Sequence, residues 1–188
     1  EATFLGQLTA DQRQVAKAIL EHDNGVVVAS PGFGKTVLGT YLIAQRKCST
    51  LILVHRQPLL EQWRSQISMF RDRDAKSIGQ IGGGKCKLTG QIDVAMIQSL
   101  SRKDSVDGIV AEYGQVIIDE CHHLSAVSFE RVFSELKARY VVGLTATPQR
   151  RDGHQPIIRM QIGPVRFQVD PRRQLAQRPF NHRLVVRE

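Results

Sequence analysis

The sequence feature that most constrains the fold is a glycine-rich turn between a short apolar segment and a helical one. Residues 25–29 read Gly-Val-Val-Val-Ala, which is the composition of a buried strand. Residues 30–36, Ser-Pro-Gly-Phe-Gly-Lys-Thr, follow directly and precede a helical pattern that ends near Arg46. Gly32 and Gly34 allow backbone conformations in which successive N–H groups turn toward phosphate oxygens. This order of segments predicts a phosphate-binding loop in front of a helix.

The side chains of this loop fit a nucleoside triphosphate and its magnesium ion. Lys35 is long enough to reach the β- and γ-phosphates, and the Thr36 hydroxyl is a suitable Mg²⁺ ligand. Loops of this kind usually have glycine where this chain has Ala29, a small-residue difference that we treat as minor. The alternative is an ordinary turn of glycine and proline. We predict ATP contacts at Pro31, Gly32, Phe33, Gly34, Lys35 and Thr36, with Gln12 as a further candidate.

A pair of carboxylates follows another apolar segment, residues 116–118. Ligands of open parallel sheets bind at the carboxyl ends of the strands, so both carboxylates are placed to act on the same nucleotide. We expect Asp119 to hold Mg²⁺, directly or through water, and Glu120 to polarise the attacking water. Two alternatives are a solvated strand end and a zinc site in the run of metal-ligand side chains from Asp119 to His123, although adjacent residues cannot all converge on one ion.

Apolar segments alternate with helical patterns through most of the chain. This alternation is typical of an α/β fold, with a mostly parallel sheet covered by helices on both faces. We predict strands at 25–29, 50–54, 92–97, 116–119 and 140–144, a possible strand at 77–81, and helices at 8–22, 58–70, 106–113 and 128–138 besides the one after the loop. Prolines and arginines become frequent after residue 148, so we predict a domain at 1–148 and an extension and linker at 149–188.

Charge and cysteine content narrow the class of protein. The 188 residues carry a formal net charge of +8, which fits a polyanion partner, nucleic acid first, and fits a merely solvated basic surface equally well. Three cysteines without a CxxC spacing fit a reducing cytoplasm better than a disulfide scaffold. No apolar run approaches the roughly 20 residues of a membrane span, so we expect no membrane association. The chain begins at Glu1, and we expect it to be part of a larger protein.

Three segments together resemble motifs I, II and III of superfamily 2 helicases, in the DExH group. They are residues 29–36 (Ala-Ser-Pro-Gly-Phe-Gly-Lys-Thr), 119–122 (Asp-Glu-Cys-His) and 145–148 (Thr-Ala-Thr-Pro). Residues 150–153 (Arg-Arg-Asp-Gly) and 162–165 (Ile-Gly-Pro-Val) resemble the XPB-type branch, with restriction-type motor subunits close to it. The resemblance implies a RecA-like P-loop NTPase domain, the first of two motor domains.

The resemblance also implies a role for each residue that matches a motif. Lys35, Asp119 and Glu120 would be catalytic, and Thr36 would join Asp119 as a magnesium ligand. Coupling of the nucleotide state to the second domain and to nucleic acid would fall to three residues: His122, Thr145 and Thr147.

Gln12 has two possible roles. It stands where many members of this helicase family place a glutamine that reads the adenine edge. Its spacing from Thr9 also fits a capping box at the start of the first helix. The XPB-type pattern has an arginine and an aromatic residue before this glutamine, whereas this chain has Thr9 and Asp11.

Residues 53–63 resemble motif Ia, a strand-to-helix turn that grips a phosphate backbone in these motors. Arg56 is the preferred contact, while Trp63 is predicted to lie in the core because it shares a helical face with apolar side chains. Gln98 and Ser99 resemble motif Ic, another backbone contact. The glycines at 82–84 with Lys85 either contact phosphate or form a flexible loop. Such contacts predict nonspecific, salt-sensitive binding.

These features predict the ATP-binding domain of a DNA helicase or translocase, in which ATP hydrolysis drives movement along DNA. Phosphoryl transfer also needs an arginine finger, which in this family comes from the second motor domain. The chain alone should therefore bind nucleotide weakly and hydrolyse it very slowly. A nucleotide-gated nucleic-acid-binding module without motor output and an RNA helicase are the alternatives.

Overall fold

The fold is taken from a computed structural model of the chain, which describes residues 3–72, 74–101, 108, 110–121, 126–146 and 162–170. Helices and strands alternate along these residues. The helices are α1 (Ala10–Leu20), α2 (Lys35–Arg46), α3 (Gln57–Arg71), α4 (Ile97–Ser101) and α5 (Ala126–Phe133). The strands are β1 (Asn24–Val28), β2 (Thr50–Val54), β3 (Gly79–Gly82), β4 (Lys85–Lys87), β5 (Ile92–Met96), β6 (Gln115–Asp119), β7 (Tyr140–Thr145) and β8 (Val165–Gln168).

The strands form one sheet in the order β4-β3-β5-β2-β6-β7-β1-β8. Every neighbouring pair is parallel except β3 and β4. This confirms the predicted mostly parallel sheet. Because the strands run the same way, the carboxyl ends of β1, β2, β5, β6 and β7 lie along one edge of the sheet.

The sheet has a packed core on each face, which follows from the two-residue period of side chains along a strand. In β6, Ile117 joins the core on the side of α1, α2 and α3, whereas Val116 and Ile118 join the core on the side of α4 and α5. All five residues of β6 are buried, as expected for a strand covered on both faces. The predicted helical cover on both faces is therefore confirmed.

The hairpin between β3 and β4 is the antiparallel part of the sheet. Gly83 and Gly84 form its two-residue turn, with φ angles of 59° and 76°. A type I′ hairpin turn needs positive φ at both central residues, which glycine adopts without strain. The segment considered as a flexible loop is therefore a tight turn, and Lys85 and Lys87 are exposed on the strand that follows it.

Two predicted helices differ from the structure at their ends. The helix predicted at 128–138 stops at Phe133, because the Leu136 N–H bonds to the Phe133 carbonyl and the chain then turns into β7. Of the helix predicted at 106–113, the described part contains a 3₁₀ turn at Val110–Glu112. Residues 165–168, inside the predicted extension, form β8 and pair with β1.

Two further expectations concern cysteines and membranes. No disulfide joins Cys48, Cys86 or Cys121. Within the described ranges, the structure has no helix with the length and apolar character needed to cross a membrane.

Candidate nucleotide-binding site

The turn after β1 has the backbone geometry that a phosphate-binding loop requires. Gly32 and Gly34 have φ angles of 80° and 85°, in the left-handed region that side-chain-bearing residues avoid. Gly34 is the N-cap of α2, and no side chain of the described residues caps this helix. The first N–H groups of α2 therefore face the turn with the partial positive charge of a helix start, as an anion site needs.

The phosphate-binding turn and the acidic pair meet at the carboxyl edge of the sheet. Lys35 Nζ lies 3.3 Å from Glu120 Oε1 and donates a 3.0 Å hydrogen bond to the Ala29 carbonyl. Both segments line one cavity of about 340 Å³. Its lining residues are Pro31, Gly32, Gly34, Lys35, Thr36, Val37, Leu59, Gln62, Gln66, Asp119 and Glu120.

Asp119 is a buried carboxylate that lines this cavity, and its two oxygens differ in their hydrogen bonding. Its side chain is 3% exposed, and Oδ2 accepts a 2.7 Å hydrogen bond from the Trp63 indole N–H. Oδ1 has no hydrogen-bond partner among the described residues. Burial raises the pKa of Asp119, while the bond from Trp63 acts in the opposite direction. A buried oxygen without a partner is the feature expected of a cation ligand.

Thr36, the other predicted magnesium ligand, lines the same cavity. Its Oγ1 accepts a 3.3 Å hydrogen bond from Gln62 Nε2, on helix α3. A hydroxyl oxygen and a carboxylate oxygen are the hard ligands that Mg²⁺ prefers, and this ion usually keeps several waters as well. The residues present therefore fit a magnesium ion.

Glu120 has an uncommon backbone conformation, and its carboxylate lies next to Lys35 and to the end of β7. Its φ angle is 51°, in the left-handed region, which costs of the order of 1–3 kcal/mol for a residue with a side chain. Oε2 accepts a 3.4 Å hydrogen bond from the Ala146 N–H, which follows β7. The strained turn directs the carboxylate toward Lys35 on one side and the end of β7 on the other.

Of the three residues predicted to couple the nucleotide site to the second domain, the structure describes Thr145. Thr145, at the end of β7, is buried and its side chain hydrogen-bonds to Cys121, directly after the acidic pair. The ends of β6 and β7 are neighbours because Asp119 pairs with Leu144 in the sheet. His122 and Thr147 lie outside the described residues.

The zinc alternative finds no support in the described part of the chain. No group of three His, Cys, Asp or Glu side chains there is arranged to hold a metal ion. Burial raises the pKa of the Cys121 thiol to about 12, and the negative charges of Glu120 and Asp119 act in the same direction. His122 and His123, which the alternative also needs, are outside the described residues.

Gln12 forms the predicted capping box and also contacts the phosphate-binding turn. Its Oε1 accepts from the Thr9 N–H at 3.0 Å, and its N–H donates to Thr9 Oγ1 at 3.2 Å. Its Nε2 donates a 2.8 Å bond to the Phe33 carbonyl. A Cβ at Gly34 would come within 2.5 Å of the same nitrogen. Gln12 thus connects α1 to the turn, while its role in reading adenine stays a prediction.

The predicted nucleic-acid contacts lie together at the same edge of the sheet. Arg56 is exposed at the N-cap of α3, directly after β2. Gln98, after β5, donates a 3.1 Å bond to the His55 carbonyl, and Ser99 is its half-buried neighbour. The hairpin turn is also close, since a Cβ at Gly83 would meet the Gln57 amide.

Two residues of α3 that contact the predicted metal ligands were missed as site residues. Trp63 is fully buried, as predicted, but its hydrogen bond to Asp119 was not foreseen. A buried indole N–H usually finds a hydrogen-bond partner, so the sequence held a signal that some acceptor lay nearby. The sequence did not indicate that Gln62 would contact the site, because a glutamine on a helix surface needs no hydrogen-bond partner from the protein.

The amide-lined turn with its lysine lies across from two carboxylates, at the carboxyl edge of a parallel sheet. This arrangement is that of a RecA-like P-loop nucleotide-binding domain. The family model described as "Type III restriction enzyme, res subunit" matches residues 5–150. The chain belongs to this family, and the match confirms its recognition as the first motor domain of a superfamily 2 helicase.

Individual relatives agree with this assignment. The chain is 31% identical over 169 residues to a putative ATP-dependent RNA helicase of Acanthamoeba polyphaga mimivirus, covering 88% of this chain and 32% of the relative. It is 30% identical over 154 residues to a DNA 3′-5′ translocase XPB2 of Sulfurisphaera tokodaii, covering 82% of this chain and 34% of the relative. The chain thus spans about a third of the length of these relatives.

A solved structure confirms the fold. The crystal structure of the UvsW helicase from bacteriophage T4 matches with a TM-score of 0.76 and 19% identity, covering 90% of this chain and 64% of the other. An identity this low supports the fold alone.

Proposed function

We propose that this chain is the ATP-binding motor domain of a DNA helicase or translocase, in which ATP hydrolysis drives movement along DNA. One observation carries the proposal. The side chains of Lys35 and Glu120 approach to 3.3 Å, and both line the same cavity as Asp119, whose Oδ1 has no hydrogen-bond partner among the described residues. A triphosphate between these groups would meet a cation, a metal ligand and a water-polarising carboxylate at once.

Each residue of the cavity has a distinct task in this proposal. The backbone N–H groups at the start of α2, those of Gly34 and Lys35 among them, hold the phosphates, and the Lys35 side chain neutralises the β- and γ-phosphate charge. Thr36 and Asp119 would hold Mg²⁺, which supplies positive charge beside the transferring phosphoryl group. Glu120 orients the attacking water and accepts its proton.

The end of β7 is suited to sense whether the nucleotide is present. Glu120 contacts the Ala146 N–H, so a shift of this carboxylate toward bound nucleotide changes the hydrogen bonding of the residues after β7. Through Thr145, and through His122 and Thr147 outside the described residues, this change would reach the second motor domain. That domain is proposed to lie elsewhere in the same protein, beyond a division near residue 148, and to supply the arginine finger.

The partner that fits the carboxyl edge is a nucleic-acid backbone, and we propose DNA. Arg56 follows β2 at the start of α3, Gln98 and Ser99 follow the neighbouring strand β5 in α4, and Lys85 extends the positive charge onto the hairpin. These groups suit phosphate and carry no base-reading arrangement, so binding would be nonspecific. The protein would act in the cytoplasm.

The first prediction separates this function from its alternatives. The isolated chain should hydrolyse ATP very slowly with or without DNA, because the arginine finger, worth about 10³–10⁵ in rate, is proposed to come from the second motor domain. The full-length protein should show an ATPase stimulated by DNA more than by RNA, and should move along DNA. The measurement is steady-state ATP turnover, combined with displacement of a third strand from a DNA triplex.

Each other outcome of this measurement contradicts part of the proposal. Rapid DNA-stimulated turnover by the isolated chain would exclude dependence on a second domain. Stronger stimulation by RNA would favour the RNA helicase. Nucleotide-dependent DNA affinity without strand displacement would favour the gated binding module.

The second prediction concerns the backbone contact at Arg56. Changing Arg56 to Ala should weaken DNA binding to the same extent for all sequences, and should reduce the slope of log affinity against log salt by roughly 0.9 for the lost phosphate contact. The measurement is fluorescence anisotropy of a labelled duplex across a salt series. Arg139→Ala is the matched control, because Arg139 is exposed beside Asp23 at the opposite edge of the sheet. Equal slopes for both variants would remove Arg56 from the interface.

A further inference from the structure

Helix α3 connects the proposed backbone contact to both proposed metal ligands. It begins directly after Arg56, and its adjacent residues Gln62 and Trp63 donate hydrogen bonds to Thr36 and Asp119. The two acceptors come from different elements, the start of α2 and the end of β6. One helical turn of α3 thus contacts both side chains whose oxygens would have to converge on a single ion.

The contact of Trp63 determines which oxygen of Asp119 is available. An indole N–H can only donate, so its 2.7 Å bond occupies Oδ2 and leaves Oδ1 without a hydrogen-bond partner among the described residues. Both side chains are buried, so water does not compete for this bond. The carboxylate is thereby fixed in one orientation before any metal ion arrives.

Gln62 donates a hydrogen bond to the Thr36 hydroxyl, just as Trp63 does to Asp119. Its Nε2 donates to Thr36 Oγ1 at 3.3 Å, which uses one lone pair of that oxygen and leaves the other for a cation. Gln62 lies on the exposed side of α3 and lines the cavity, so this bond is at the rim of the site.

Close packing holds α3 at a fixed distance from α2. A Cβ at Gly39 would collide with the Trp63 ring, so glycine is needed one turn after Thr36 for the indole to reach Asp119. Leu60 and Ile67 bury the same face of α3 above and below the ring. Interiors packed in this way transmit small displacements instead of absorbing them.

We propose that Gln62 and Trp63 are positioning residues that orient Thr36 and Asp119 as magnesium ligands. The inference rests on the proposed function, because it assumes that the cavity binds Mg²⁺ with a nucleotide. Neighbours of metal ligands commonly act in this way, and their loss typically lowers metal affinity by 10–100-fold. Neither residue needs to touch the ion or the nucleotide.

The test compares the affinity of the chain for the non-hydrolysable analogue AMPPNP in excess Mg²⁺ and in excess EDTA, by calorimetric titration. In Trp63→Phe and Gln62→Leu, the affinity with Mg²⁺ should fall by about tenfold or more, while the affinity in EDTA stays that of the wild type. Ile67→Val is the matched control, because it alters the same buried face of α3 without a contact to Thr36 or Asp119. This control should retain the wild-type ratio of the two affinities.

Every other result counts against the inference. Both variants could keep the wild-type ratio of the AMPPNP affinity in Mg²⁺ to that in EDTA, or lose affinity equally in the two conditions. Either result would mean that the two residues serve only the fold. Gln62→Leu keeps the test decisive if Trp63→Phe fails to fold, since Gln62 is exposed. If the wild-type chain binds AMPPNP equally in Mg²⁺ and EDTA, the proposed metal site itself is wrong and the inference falls with it.

Discussion

Replacing Lys35 with alanine should remove most of the nucleotide affinity of this chain. The lysine lies between the phosphate-binding turn and Glu120, where its ammonium group would be the nearest side-chain cation to the β- and γ-phosphates. Loss of one partner from a buried, hydrogen-bonded charge pair costs about 2–5 kcal/mol. We therefore expect roughly a 30-fold or greater loss of affinity for AMPPNP with Mg²⁺, since each 1.4 kcal/mol is tenfold. Calorimetric titration of the chain measures it.

Two controls separate this effect from damage to the fold. Lys35 is largely buried and bonds to the Ala29 carbonyl, so the thermal unfolding of the variant must be measured as well. Lys17→Ala removes a lysine from the exposed side of α1 and should leave the affinity unchanged. If Lys35→Ala folds normally and binds as tightly as the wild type, the lysine does not contact phosphate.

Changing Glu120 to Gln should abolish most ATP turnover by the full-length protein while it still binds ATP. The amide is close to the carboxylate in shape and can still accept a hydrogen bond from the Ala146 N–H. It cannot accept the proton of the attacking water, and loss of a general base typically costs 10²–10⁴-fold in rate. We expect kcat for DNA-stimulated hydrolysis to fall by about this factor, with KM for ATP changed far less.

The matched control for this variant is Glu130→Gln, an exposed glutamate on α5. Its turnover and its translocation along DNA should equal those of the wild type. If Glu120→Gln and the wild type hydrolyse ATP and translocate equally, Glu120 is not the water-polarising residue. The acidic pair would then serve the metal ion alone.

The sequence predicted best those features that depend on a local pattern. The apolar runs at residues 50–54 and 116–119 became central strands because such runs can be buried only in the middle of a sheet. Gly32 and Gly34 have the positive φ angles that the glycine-rich turn before α2 led us to expect. The meeting of Lys35 with Glu120 followed from the rule that parallel strands present their carboxyl ends at one edge.

What the sequence did not predict depends on contacts between distant segments. The helical period placed Trp63 on a buried face, but it could not show that a strand end 56 residues later would accept its N–H. The pairing of β8 with β1 could not be predicted, because it depends on the path of the chain between two segments that are distant in the sequence. The left-handed φ of Glu120 has no local sequence signature, since it follows from the positions of its partners.

A crystal structure of the chain with Mg²⁺ and AMPPNP tests the central claim most directly. We predict that the γ-phosphate lies within hydrogen-bonding distance, about 3 Å, of Lys35 Nζ. The metal ion should contact Thr36 Oγ1 and reach Asp119 Oδ1 directly or through one water, with Trp63 still bonded to Oδ2. A nucleotide bound elsewhere, or bound in this cavity with its metal ion out of reach of Asp119, would contradict the account.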